Sequence, residues 1–293
     1  MKKILITLFC GACMLQARAQ DMPKDSAAYA VIQTTDENEF VGVIVSETPE
    51  TVVLKTENFG QITIKRGAIR SIRHIPALQA AAGKYWFESP HSTRYFASQN
   101  AYGLRKGEGY YENGWIFFNQ VTYAFSDHFS MGAGLAPLLV FDGPLPLWLT
   151  PKITLPLLKD RLNLAVSAVM GHSFSAYEEE SGPFGAVIGQ LTVGPRDANL
   201  TAGTGYTFAD RNWSRNPIFS LSGMVRTGAK FALVSENYLF FADRESITLL
   251  SFGGRFMGRR IGIDAAIVVP VVEEAGAYPL PWMGIHVPFG SPK

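Results

Sequence analysis

Cysteine is almost missing from this chain: of 293 residues only Cys10 and Cys13 carry a thiol, and both stand in the apolar opening segment. Everything downstream is without one, which excludes a disulfide framework, a thiolate metal centre and cysteine catalysis there. Long apolar runs are also lacking past the opening. With no stretch of about eighteen such residues, a membrane-spanning helix is excluded. Charge is scarce at 17% and balanced, with 26 basic against 25 acidic residues. Such a chain has no field to steer it toward nucleic acid, and none is expected as a partner. Histidine is sparse as well, and His74, His91, His128, His172 and His286 show no metal-ligand spacing. No metal and no cofactor are expected.

What is present begins with Met1-Lys2-Lys3, an apolar core from Ile4 to Leu15, and Ala17-Arg18-Ala19. A charged start, a short apolar core and a small-x-small end predict a signal peptide over residues 1–19, cut before Gln20. Its removal takes Lys2, Lys3 and Arg18 and leaves a net charge of about −2. Residues 20–28 are expected as a flexible N-terminus.

Residues 29–75 read as a compact β module. Strands are expected over 29–34, 40–47, 51–56, 61–65 and 68–73, parted by Asp36-Glu37-Asn38, Thr48-Pro49-Glu50, Asn58-Phe59-Gly60 and Arg66-Gly67. Val31–Thr35, Phe40–Val45 with its central Gly42, Val52–Thr56, Gln61–Ile64, Ile69 and Ile72 together resemble an Sm-like fold. Five short strands in so few residues suggest a small, strongly bent sheet or partial barrel, and the resemblance implies that its hairpins close a small barrel. Arg66, Arg70, Arg73 and His74 form a weak basic cluster, a solvated face or a contact for an acidic periplasmic partner. Residues 76–91 are a linker, partly helical because of Ala77 and Ala80–Ala82, and Tyr85-Trp86-Phe87 suits an interfacial anchor.

From residue 92 to 293 the dominant feature is a rhythm of alternately short and long connections. The short ones are Ser126-Asp127-His128, Lys159-Asp160-Arg161, Pro195-Arg196-Asp197, Thr227-Gly228-Ala229 and Gly258-Arg259-Arg260. Short turns on every second connection are the habit of a transmembrane β-barrel. Twelve strands are expected, at about 92–104, 111–125, 128–140, 147–158, 161–173, 184–194, 197–209, 216–226, 230–241, 245–257, 260–270 and 280–289. The expected fold is thus all-β: a twelve-stranded antiparallel transmembrane β-barrel in the outer membrane, preceded by the five-stranded Sm-like module. An even count places the C-terminus and the module together in the periplasm.

A two-residue period assigns the faces. Leu162, Leu164, Val166, Ala168 and Met170 suit lipid, while Asn163, Ala165, Ser167 and Gly171 suit a lumen; Ile261, Ile263, Ala265, Ile267 and Val269 oppose Gly262, Asp264 and Ala266 likewise. Asn119 breaks the pattern, sharing a face with Trp115, Phe117, Val121 and Tyr123. Interfacial girdles are expected from Tyr110, Tyr111, Trp115, Phe125, Trp148, Trp213, Tyr238, Phe240 and Trp282. Gly284–Phe289 resembles the C-terminal signal read by the outer-membrane assembly machinery, which that resemblance makes a partner, beside the lipid bilayer and lipopolysaccharide. As a whole the chain resembles outer-membrane β-barrel proteins of the Bacteroidota type.

The lumen-lining candidates are Arg94, Lys152, Gln190, Arg226, Glu236, Arg255 and Asp264, strand residues too costly to place in lipid. They serve either a narrow channel or transporter for small solutes or a salt-bridged plug. A membrane anchor displaying residues 29–75 to a periplasmic protein is the alternative. A third reading is a lipid hydrolase, since His128-Phe129-Ser130 has the spacing found in outer-membrane phospholipase A. Glu178-Glu179-Glu180 is a cation candidate or a solvated loop. The balance of these features predicts no enzyme.

Overall fold

The computed structural model describes residues 29–75 except 37, 57 and 58, then 89–137, 145–174, 182–241 except 211, 246–272 except 259, and 276–290. The leader, the alanine-rich linker, Tyr85-Trp86-Phe87 and the Glu178–Glu180 loop lie outside the described residues. Two compact units result, Met1–Tyr85 and Trp86–Lys293.

The first unit is one antiparallel sheet of β1 (Tyr29–Thr34), β2 (Glu39–Glu47), β3 (Thr51–Thr56), β4 (Gly60–Lys65) and β5 (Ile69–Ile75), in the order β4-β3-β2-β1-β5. Alternation puts Ala30, Ile32, Val52, Leu54 and Ile64 into its core. Gly42 lets β3 close on β2: a Cβ there would sit 2.2 Å from the Lys55 carbonyl oxygen.

The second unit is a closed barrel of twelve antiparallel strands. They are β6 (Gly109–Gly114), β7 (Phe118–Ala124), β8 (Phe129–Leu135), β9 (Leu145–Leu158), β10 (Leu162–Phe174), β11 (Pro183–Val193), β12 (Ala198–Ala209), β14 (Ile218–Gly228), β15 (Phe231–Phe241), β16 (Ser246–Met257), β17 (Gly262–Val272) and β19 (Leu280–Phe289). Each pairs with the next, and β19 pairs with β6 to close the ring. Two short strands, β13 (Asn212–Trp213) and β18 (Gly276–Ala277), extend β12 and β17 at one end. The five short turns lie together at the opposite end, where β6 begins and β19 finishes.

The strand number agrees with the sequence expectation, but two of its members do not. Residues 92–104 form no barrel strand; they run inside the barrel, with a single bridge between Arg94 and Gln99. The stretch expected as one strand over 111–125 is instead the hairpin β6–β7. Its turn was hidden because bulky residues make it: Trp115 and Ile116 hold φ of 50° and 67°, where glycine or asparagine is usual. Left-handed backbone costs about 1–2 kcal/mol per residue. Offsetting bonds run from the Trp115 amide to the Met283 carbonyl at 2.9 Å and from Asn113 Nδ2 to the Ile116 carbonyl at 3.1 Å. Asn119 caps the same turn, donating to the Phe117 carbonyl and accepting from Tyr111 and Asn113. Its misfit in the alternation is therefore the mark of a rim.

Ile116→Asn, which suits φ of 67° better than a β-branched residue, is expected to raise stability by about 1 kcal/mol. The readout is the urea midpoint of the lipid-reconstituted protein, and a lower midpoint would contradict this account of the turn.

Candidate functional site

The barrel is inside out relative to a water-soluble protein. Leu149, Ile153, Val166, Leu200, Leu221, Phe252, Ile263 and Ile267 point outward and are exposed, whereas Thr122, Lys152, Thr154, Gln190, Thr192, Glu236, Arg255 and Asp264 point inward and are buried. A hydrocarbon surround turns the exposed set into the buried one. Among the described residues no helix is long and apolar enough to cross a membrane, which says nothing of a β-barrel.

What buries the inner polar groups is the segment from Ser89 to Leu104. It enters from the turn-rich end, folds back at Tyr95–Ser98, and leaves toward β6. Polar groups on both parities, Ser92, Arg94, Ser98 and Asn100 against Thr93 and Gln99, deny it an apolar face for lipid. Inside the barrel the same groups find partners. Tyr95 and Phe96 seat on Met224, Ala232, Val234 and Met257. The Tyr95 hydroxyl donates to Asn199 Oδ1 at 2.7 Å.

Six of the seven lumen candidates hold or form this plug. Arg255 uses all five of its N–H groups: Nε and Nη2 reach the Asp264 carboxylate at 2.7 and 2.9 Å, Nη1 reaches the carbonyls of His91 and Arg94 at 2.8 Å each, and Nη2 reaches that of Tyr95. His286 Nε2 meets Asp264 Oδ2 at 2.7 Å. Glu236 accepts three backbone amides at the tip, from Phe96 at 2.6 Å and from Ala97 and Ser98 at 2.9 Å each. Lys152 Nζ donates to the Tyr102 carbonyl at 2.6 Å, and Gln190 Nε2 to that of Gln99 at 2.8 Å. Arg94, expected on a strand, belongs to the plug itself and pairs with Glu112 of β6. Arg226 stands apart at the turn-rich rim, bonded to Asp197 and to the carbonyls of Gly228 and Ala229.

Several contributors were missed from the sequence. Thr192 accepts the Ala101 amide at 2.8 Å, and Arg196, in a tight turn, donates to the Gly103 carbonyl at 3.0 Å. Their signal was only their inward parity or their place in a turn. Of the expected girdle, Tyr110, Trp148, Tyr238 and Trp282 are on inner positions, while Phe125 and Trp213 are exposed. His128 and Ser130 are not joined: His128 Nδ1 meets the Thr154 carbonyl at 3.1 Å, and among the described residues no hydrogen bond links the pair.

The plug fills the turn-rich half and leaves a chamber in the other. This cavity of about 500 Å³ has the tip residues as its floor, and Phe118, Trp148, Phe184, Ile188 and Trp282 on its walls.

No protein-family model matches the chain, and no curated protein does. Solved structures do. The CymD monoaromatic hydrocarbon channel is 8% identical over 91% of this chain and 87% of its own, with a TM-score of 0.38. Omp33 of Acinetobacter baumannii is 9% identical over 66% and 100%, at 0.37, and OmpT of Vibrio cholerae 11% identical over 92% and 100%, at 0.34. The architecture stated for this chain rests on its own strand pairing and faces: a closed barrel of twelve strands, apolar outside and polar within. One expectation is corrected here. Three of the matched structures are forms of OmpT; a barrel fold is as compatible with catalysis as with transport, so the reading that the chain is no enzyme is withdrawn.

Removing the central cation should be costly. Arg255→Met strands Asp264 and three plug carbonyls and is expected to lower stability by about 3–5 kcal/mol, because an uncompensated charge stays buried. Urea unfolding in lipid measures it, and a loss below about 1 kcal/mol would contradict the assigned network.

Proposed function

We propose that this protein is a gated passage for small solutes, in which the chamber receives a solute and residues 89–104 must move before it can proceed. The observation that carries the reading is the chamber itself: an accessible cavity of about 500 Å³ whose floor is the plug tip. Side chains alone fill a barrel of about eight strands; one of twelve is wider, and the plug takes up only part of the added room. A single carboxylate, Glu236, gathers the three amides of the tip, so one substitution removes all three bonds.

In this reading the turn-rich end, the C-terminus and the Sm-like module face the periplasm, and the chamber faces outward, as short turns and long loops do in such barrels. The outer wall meets acyl chains and lipopolysaccharide, the assembly machinery reads Gly284–Phe289, and residues 29–75 are offered to a periplasmic protein. The Bacteroidota resemblance fits this arrangement. A second reading, an anchor that displays the module, draws support from the buried Arg255–Asp264 pair, which favours a permanently filled lumen.

Planar-bilayer recording separates the two. The unaltered protein is expected to show little or no current and Glu236→Ala sustained single-channel steps. Silence from both, with the variant folded by heat-modifiable gel mobility, would leave the anchor and discard the passage.

A further inference from the structure

We infer that the chamber is a binding site for an uncharged, planar apolar solute of one or two fused rings, which gives the passage reading its substrate class. The walls are built for ring faces. Trp148 lies across Gly134 of the neighbouring strand, where a Cβ would come 2.4 Å from the indole nitrogen. Phe184 lies across Gly171 in the same way, a Cβ there coming 2.4 Å from the ring, and Trp282 across Gly114 at 3.1 Å. Three glycines thus let three large rings lie back against the wall. Any side chain at those positions would push them into the open space. Phe118 adds a fourth ring, its centroid 6.3 Å from that of Trp148 and its plane tilted by 56°. Rings so disposed offer offset and edge contacts to a flat guest.

Most polar groups around the chamber are engaged with one another; among the described residues, the buried Trp282 Nε1 and Thr150 Oγ1 have no hydrogen-bond partner. Gln120 donates to Glu112 Oε1 at 2.7 Å and accepts from Trp148 Nε1 at 2.7 Å, and Glu112 pairs with Arg94. Gln190 is bonded to the Gln99 carbonyl, and Glu236 is taken up by the tip amides. A charged solute entering here would lose its hydration without gaining a free counter-charge, and a sugar would regain for its several hydroxyls at most the bonds that Trp282 Nε1 and Thr150 Oγ1 can make. An apolar ring loses nothing of the kind. The volume of about 500 Å³ lies within the range of roughly 300–1,000 Å³ usual for small-molecule sites.

The test is calorimetric titration of the full protein in lipid nanodiscs against empty discs, with 2-naphthol, 2-naphthoate and glucose as probes at pH 7. Saturable one-to-one binding of 2-naphthol is expected, with none for the other two. Ile188→Trp, which fills the chamber, should weaken it by at least about tenfold. Ser167→Phe serves the same purpose should Ile188→Trp lose heat-modifiable mobility. No saturable 2-naphthol binding, equal binding of 2-naphthoate, or binding indifferent to the filling substitution would each overturn the inference. Binding as expected with no current from any variant would sink the passage and leave the site; current without binding would do the reverse.

Discussion

Everything inside this barrel is organised around the Arg255 guanidinium. It is fully buried, and its five donors are divided between one carboxylate on the adjoining strand and three carbonyls of the plug. A charge in such a place is tolerable only when every donor and lone pair near it is satisfied. Asp264 answers the charge, His286 fixes the far carboxylate oxygen, and the plug backbone supplies the remaining acceptors. The plug is therefore the other half of the inner wall's chemistry, and neither half is satisfied without its partner.

Glu236 mirrors that arrangement with the opposite sign. Arg255 gathers carbonyls where the segment enters, and Glu236 gathers amides where it turns. With Lys152, Gln190, Thr192 and Arg196 they bond carbonyls and amides along Ser89–Leu104, which is what irregular backbone away from water requires. Non-helical, non-strand backbone at membrane depth is admissible because it is enclosed by protein. The chamber follows from the length of that segment, since its tip reaches only as far as Glu236 and the aromatic positions beyond are left unfilled.

Much of the architecture was legible in the sequence. Alternation located ten of the barrel strands and all five of the first unit, because a two-residue period with one apolar face has few other causes. The short turns were readable from Lys159-Asp160-Arg161 and its counterparts. The two failures share a cause. Trp115 and Ile116 form a turn against their conformational preference, so turn chemistry gave no notice of it, and the missing strand was then supplied by residues 92–104, whose tyrosines and alanines mimic a strand. Polar residues on both of its faces were the available warning. The inward side chains were recognisable by the cost of placing charge in lipid, but their partner was another part of the chain, which no local pattern records. The chamber arises from rings laid over glycines on neighbouring strands, a pairing that becomes visible only once register is known.

The central claim is that residues 89–104 are a plug held by the inner wall. Hydrogen exchange of the lipid-embedded protein, followed by mass spectrometry over this segment, tests it most directly. Protection of Phe96, Ala97 and Ser98 comparable to the barrel strands is expected, and it should collapse in Glu236→Ala while β9 to β12 stay protected. Rapid exchange of the segment in the unaltered protein, or protection that survives Glu236→Ala unchanged as a barrel strand's would, contradicts the account.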